Sequence, residues 1–175
     1  MANTLDKTNI KKGSALNLWA TIGGVEKCIA WSTSHTFQSS TNLTEINVKD
    51  AGDYPLQLAQ NITWNIQCEY LYSTTDNVGT LLAIHKAKTP VKITFCEVQN
   101  YSNTDEQGII GTDKEAWTKG NVIAEGNVVI NDLTINSAAG ENASVSCTLT
   151  GDGKYTSAWS YDVTGGVTGP IVVGG

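Results

Sequence analysis

Apolar and polar residues alternate with a period of two along much of this chain, and the longest such run, residues 61–72, organises the rest. It places Ile62, Trp64, Ile66, Cys68, Tyr70 and Tyr72 on one side, and Thr63, Asn65, Gln67 and Glu69 on the other. An amphipathic helix needs apolar residues returning at three and four, a template that fails along most of this run. The pattern predicts a long strand with one apolar and one wet face. Such a strand favours antiparallel pairing and a second layer for its apolar side to lie on.

Shorter alternations predict the other strands. Leu16, Leu18, Ala20 and Ile22 mark a strand over 15–22, the Gly23-Gly24 pair supplies a tight hairpin, and 25–38 reads as one return strand with Trp31, His35 and Phe37 on a common face. Residues 91–98 carry Val91, Ile93 and Phe95 on one face, and the closing strands fall at 121–131 and 144–150. Gly151-Asp152-Gly153 reads as the turn that ends the last strand; with no helix start after it and no Lys-Ser or Lys-Thr pair, it is not a phosphate loop. One helix is predicted, from N-cap oxygens among Ser73, Thr74, Thr75 and Asp76, through a stripe of Val78, Leu81, Leu82 and His85, to a stop at Thr89-Pro90. The expected fold class is mainly β: two packed antiparallel sheets, sandwich- or barrel-like, with one flanking α-helix.

Residues 15–153 form the expected β domain. Residues 1–14 are polar and lysine-bearing, and read as a flexible arm or a strand ordered only by a neighbour. Residues 41–60 read as a long hairpin excursion, because Asp50-Ala51-Gly52-Asp53-Tyr54-Pro55 is a turn cluster that cannot continue a ladder. Residues 99–119 are polar enough for a solvated surface loop that Ile109, Ile110 and Trp117 pin down. Residues 154–175 form a C-terminal extension with no core of its own, ordered against a partner chain or not at all.

At 175 residues the chain is long enough for one self-sufficient core. Its start lacks a basic, then apolar, export signal, and no run reaches the apolar length that spans a bilayer, so a soluble cytoplasmic product with no membrane partner is expected. Cys28, Cys68, Cys96 and Cys147 show no C-x-x-C pairing and read as reduced, buried small hydrophobes; the Asn-x-Ser/Thr sequons are then chance. The net charge is -6 and all eleven basic residues are lysines. Without arginine's bidentate fork or a basic patch, specific nucleic-acid binding is not expected, although an acidic protein can still let DNA pass beside it.

No catalytic chemistry is legible. The two histidines, His35 and His85, are far apart and lack paired carboxylates, no G-x-S-x-G elbow occurs, and no metal set has usable spacing. His35 reads as a half-buried sheet residue and His85 as a packed or helix-end partner. Asp50 with Asp53, and Asp105 with Glu106, could at most make a weak calcium site, and solvation is the simpler reading. No enzyme activity and no cofactor are expected. Trp19, Trp31, Trp64, Trp117 and Trp159 leave one other class open, a monomeric β-sandwich carbohydrate-binding module, for which an exposed row of tryptophans would speak.

The order of pieces resembles the major tail tube proteins of long-tailed bacteriophages, in particular the TP901-like lineage. The resemblance rests on K-D-A-G-D-Y-P-L at 49–56, W-N-I-Q-C-E-Y-L-Y-S-T-T-D at 64–76, T-P-V-K-I-T-F at 89–95, and V-V-I-N-D-L-T-I-N-S-A-A-G-E-N-A-S-V-S-C-T-L-T-G-D-G-K-Y-T at 128–156. It covers about residues 13–156, and its specificity lies in order and spacing. The resemblance implies the phage tail tube fold and a structural virion protein whose copies join in hexameric rings that stack into a hollow tube for DNA. It implies contacts with tape measure, tail terminator and baseplate or distal tail proteins, assembly in the host cytoplasm and residence in the virion tail. The excursion matches the family's inter-subunit and ring-stacking loop, which singles out Lys49, Asp50, Asp53, Tyr54, Pro55 and Leu56. Asn65, Gln67 and Glu69 become candidates for the lumen face. The inner tube of a contractile injection system shares the fold and is the second reading.

Overall fold

The computed structural model describes residues 11, 13–29, 31–52, 54–74, 78–99, 117–162 and 166–169. Within them the chain forms β1 (Leu16–Ile22), β2 (Val25–Cys28), β3 (Ser32–Ile46), β4 (Leu56–Leu71), α1 (Val78–Ala87), β5 (Val91–Val98), β6 (Lys119–Asn136), β7 (Ser144–Thr156), β8 (Ser160–Asp162) and β9 (Gly166–Thr168). Strands β1 to β7 make one sheet in the order β2-β1-β5-β6-β7-β4-β3, all pairs antiparallel, and β8 pairs with β9 by itself.

That single sheet replaces the two expected, yet it still makes two layers, because it folds over itself. His35 on β3 and Phe95 on β5 are separated in the sheet by β4, β7 and β6, but their ring centroids lie 5.7 Å apart. Ser32 Oγ at the start of β3 likewise donates to Asn17 Oδ1 on β1 at 3.3 Å. The long strands β6 and β7 serve both layers, with register shifts at residues 125/127 and 130/132 where the sheet bends. The fold is therefore mainly β, sandwich- to barrel-like, with one helix.

Between the layers lies one continuous core. Leu18 and Ala20 of β1, Trp64, Ile66, Cys68 and Tyr70 of β4, Ile93 and Phe95 of β5, Val128 and Ile130 of β6, and Val145, Cys147 and Leu149 of β7 are all buried in it. Each large side chain buried this way stabilises the fold by roughly 1.5–3 kcal/mol. Helix α1 adds Val78, Leu81 and Ile84. That stripe differs from the expected one: Leu82 and His85 are half-buried at its flank and Ile84 takes the core position. His85 reaches the sheet, with Nδ1 and the Ile130 carbonyl 3.1 Å apart. Thr75 and Asp76, two of the expected N-cap residues, lie outside the described residues.

Three strand expectations change. The return strand over 25–38 is two strands sent to opposite margins of the sheet: β2 pairs with β1, and β3 pairs with β4. The break falls where Trp31 adopts φ 63°, a left-handed conformation that ends a ladder. Gly151-Asp152-Gly153 does not end β7, which continues to Thr156 with Gly151 opposite Val128 and Asp152 opposite Asn127. Beyond that stretch, Tyr155 packs against the core. Finally, Ile62 within β4 and Tyr72 just past its end, both expected on the apolar face, are 58% and 42% exposed and lie outside the buried core.

Candidate assembly surfaces

The organising strand overruns its neighbours. β4 pairs with β7 only between Asn65 and Leu71, while its pairing with β3 runs on to Leu56 opposite Ile46. The outer halves of β3 and β4 therefore leave the body as a two-stranded arm, closed by a 3-10 turn at Lys49–Ala51 and by Gly52 at φ 64°. The expected excursion is thus mostly ladder, with only residues 47–55 outside the strands. Its apolar side chains have no layer above them: Leu43, Ile46, Val48, Tyr54, Leu56, Leu58 and Ile62 are all exposed, Tyr54 at 83%. An isolated hairpin is marginal in water, so an arm this apolar is built to be covered. Among the singled-out loop residues, Lys49, Asp50, Tyr54, Pro55 and Leu56 sit together at the arm's end, all exposed; Asp53 lies outside the described residues.

The wet face forms a second surface. Asn65, Gln67 and Glu69 point to one side of β4, Gln67 and Glu69 exposed and Asn65 half-buried. Register places Gln38, Thr36 and Ser34 of β3 beside them on one flank and Thr150, Thr148 and Ser146 of β7 on the other. Asp132 and Thr134 of β6 extend the same face. The result is a four-strand surface of hydroxyls, amides and the carboxylates of Glu69 and Asp132, without a lysine among these residues. Asn65 Oδ1 is buried there without a hydrogen-bond partner.

The margins of this four-strand layer are the third feature. Among the described residues β3 pairs only with β4, so one edge of a fifteen-residue strand carries no partner. It contains no lysine and no proline, the residues that usually guard such an edge. At the opposite margin the pairing of β5 with β6 stops at Val128, and residues 129–136 of β6 pair with β7 alone among the described residues. Near that point His85 occupies the carbonyl of Ile130.

Titratable groups elsewhere serve the fold. Burial lowers the pKa of His35 from 6.5 to about 4, partly offset by its hydrogen bond to the Leu16 backbone, and Nε2 lies 3.1 Å from the hydroxyl of Tyr70. Cys68 and Cys147 face each other across β4 and β7, and hydrogen bonding with Cys147, then burial, pushes the Cys68 thiol well above its ordinary value. Burial pushes Cys96 up to about 12. Thiols held protonated in this way are poor nucleophiles. Glu125 is held below the usual carboxylate range by the Lys92 ammonium at 2.9 Å, and Thr94 Oγ1 donates to it at 3.0 Å. Among the described residues no three His, Cys, Asp or Glu gather as a metal-ligand set, and no helix is long and apolar enough to cross a membrane. Asp105, Glu106 and most of the 99–119 loop lie outside the described residues.

The tryptophans do not form a row. Trp19 and Trp64 are buried. Trp31 and Trp159 are half-exposed, but Trp31 sits beside Leu71 at the end of β4, whereas Trp159 adjoins Trp64 in the middle of that strand. Roughly 23 Å of extended strand separates Leu71 from Trp64.

Neither a family model nor a curated protein sequence matches this chain. Solved structures do. The chain is similar to the tail of an empty gene transfer agent particle refined with C6 symmetry, at 10% identity and TM-score 0.64, covering 85% of this chain and 98% of that one. It is similar to a chain of the native gene transfer agent virion at 9% identity and TM-score 0.63, covering 85% and 98%. It is also similar to the SPP1 tail tube at 10% identity and TM-score 0.60, covering 83% and 78%. A chain of the anti-feeding prophage baseplate gives TM-score 0.50 at 8% identity, covering 81% and 91%. The chain thus has the fold found in phage and gene transfer agent tails, and none of these chains is named as an enzyme.

Proposed function

We propose that this protein is a tail tube subunit, one that completes its sheet by pairing with copies of itself and lines a conduit for DNA. The observation that carries the reading is the pair of margins on one four-strand layer that lack a strand partner among the described residues: β3 on one side, and residues 129–136 of β6, where His85 meets the Ile130 carbonyl, on the other. Two different open edges favour head-to-tail pairing, and a head-to-tail contact that closes makes a ring. Ring closure removes both exposed edges at once. The C6 symmetry of the gene transfer agent tail supports six copies per ring.

In such a ring the layer that pairs presents its wet face inward. Asn65, Gln67 and Glu69, with Thr36, Thr148 and Asp132 beside them, then line the lumen. The mechanism is passive and electrostatic: carboxylates and neutral hydroxyls offer a phosphate backbone no cation to exchange for its counterions, so DNA slides without adhering. The arm, with Lys49, Asp50, Tyr54, Pro55 and Leu56 at its end, bridges to the adjacent ring, and the stack forms the virion tail after assembly in the host cytoplasm; Asp53 is proposed for the same contact from its place in the sequence. The sequence pattern further supports the TP901-like lineage, with tape measure, tail terminator and distal tail proteins as end partners.

The anti-feeding prophage likeness favours one second reading, the inner tube of a contractile system, which uses the same edges and lumen. The separation of Trp31 and Trp159 speaks against a carbohydrate-binding surface.

Negative-stain microscopy of the purified protein tests the proposal. Rings or tubes are expected, and replacing residues 47–55 by a two-residue Asn-Gly turn leaves rings that no longer stack. A protein that stays monomeric at high concentration and retains a glycan overturns the reading.

A further inference from the structure

We infer that the aromatic groove at the base of the arm is the receptor for the arm tip of a second copy, so that copies join head to tail along the hairpin axis. What the repeated contact builds rests on the tail tube reading; the contact itself does not.

The groove is open and measures about 1180 Å³, room for several side chains rather than one. Its floor is a cluster in which Tyr155 lies 5.4 Å from Phe37 and 5.5 Å from Trp64, centroid to centroid. Ile62 and Trp159 line it while 58% and 41% exposed, and Lys154 adds a cation. Aromatic anchors in a concave apolar site are the usual centre of a protein contact.

The arm tip has the matching chemistry. Tyr54 is the most exposed large apolar side chain among the described residues, with Leu56 and Val48 beside it at 54% and 47%. The nearby carboxylates of Glu45 and Asp50, against the one ammonium of Lys49, leave the described tip net acidic toward Lys154, in a chain whose overall charge of -6 otherwise repels its own copies.

The occupant must come from another molecule. The tip and the groove lie at opposite ends of one ladder, from Ile62 opposite Thr41 to Leu56 opposite Ile46. About 20 Å of paired strand holds them apart. Two complementary patches at different places on one molecule give a heterologous contact that propagates rather than closing a two-fold dimer. A stack is the natural product.

The test mixes Tyr54→Cys protein with Trp159→Cys protein and oxidises with diamide, which takes up the two protons and two electrons released as two thiols become one disulfide. A crosslink in the mixture, exceeding by about tenfold that of either variant alone or of wild type, is expected from the raised local concentration. Ile62→Cys serves as a second groove variant should Trp159→Cys fail to fold, and the double variant Tyr54→Cys with Trp159→Cys gives a ladder longer than a dimer. Absence of the mixed crosslink, crosslinking only between two Tyr54→Cys copies, or an oligosaccharide that quenches Trp159 and blocks the crosslink overturns the inference. Microscopy separates the two readings: tubes without the mixed crosslink sink the groove assignment alone, a mixed crosslink without rings or tubes sinks the tail tube reading alone, and absence of both sinks both.

Discussion

The indole of Trp64 lies directly against the backbone of Gly151, and its Nε1–H donates to the Gly153 carbonyl at 2.8 Å. A methyl group at Gly151 would overlap the ring, and one at Gly126 would come within 2.8 Å of Trp64 Cζ2. The glycines of β6 and β7 thus make the slot that lets the largest side chain of β4 enter the core. Gly153 adds φ 83°, which turns its carbonyl toward the indole.

Gly151→Ala is therefore expected to displace the ring and destabilise the subunit by about 2–4 kcal/mol. Gly79→Ala, at an exposed position of α1 with open space around it, stabilises by about 0.5–1 kcal/mol. Urea unfolding midpoints of the two variants check both signs.

His35 makes stability fall with acid. Above pH 6.5 its ring is neutral in the folded and unfolded chain, and the full stability is present. Between pH 6.5 and about 4 the unfolded chain takes up a proton that the folded one declines, so stability drops as pH falls and levels off below that range. The loss amounts to about 3 kcal/mol. His35→Gln is less stable at pH 7 but loses less between pH 7 and 4, as denaturation at a series of pH values reads directly. A profile unchanged by the substitution would place the acid sensitivity elsewhere.

Guarding the β3 edge should stop ring closure without unfolding the subunit. Gln38 and Ser40 are exposed on that strand, and lysines at both positions leave the pairing with β4 intact while repelling an incoming strand. Sedimentation should show the double variant as a monomer with wild-type melting behaviour. Assembly at wild-type concentration would remove the edge from the mechanism.

Lysines on β4 and β7, the inner strands of the wet face away from the β3 edge, should do the opposite, leaving assembly intact and making the bore adhesive. Tubes of Gln67→Lys with Thr148→Lys are expected to retain DNA at low salt and release it as salt rises, whereas wild-type tubes retain none at either. DNA co-sedimentation over a salt series measures this. Salt-independent behaviour identical to wild type would place that face away from the DNA.

The alternation of residue character is a local signal, and it was enough for the strands whose two faces meet different surroundings. Residues 91–98 form β5 with the expected bounds, and the apolar set Trp64, Ile66, Cys68 and Tyr70 enters the core as the period of two requires. Turn chemistry at 50–55 likewise marked the arm's end, because Gly52 and Pro55 exclude a ladder whatever surrounds them. Non-local relations stayed silent. Nothing near Trp31 in the sequence says that the chain crosses there from one margin of the sheet to the other; that crossing exists because the curled sheet brings β1 and β3 together through Asn17 and Ser32. Gly151-Asp152-Gly153 has the composition of a turn, and only the arrival of Trp64, more than eighty residues earlier in the chain, makes it a stretch of strand. The sequence by itself determined which residues alternate, that a turn falls at 50–55 and that the chain is acidic and without arginine. Only the tertiary structure decided that one sheet makes both layers and which of its edges lack a partner among the described residues, because edges and layers are properties of pairing between segments far apart in the chain.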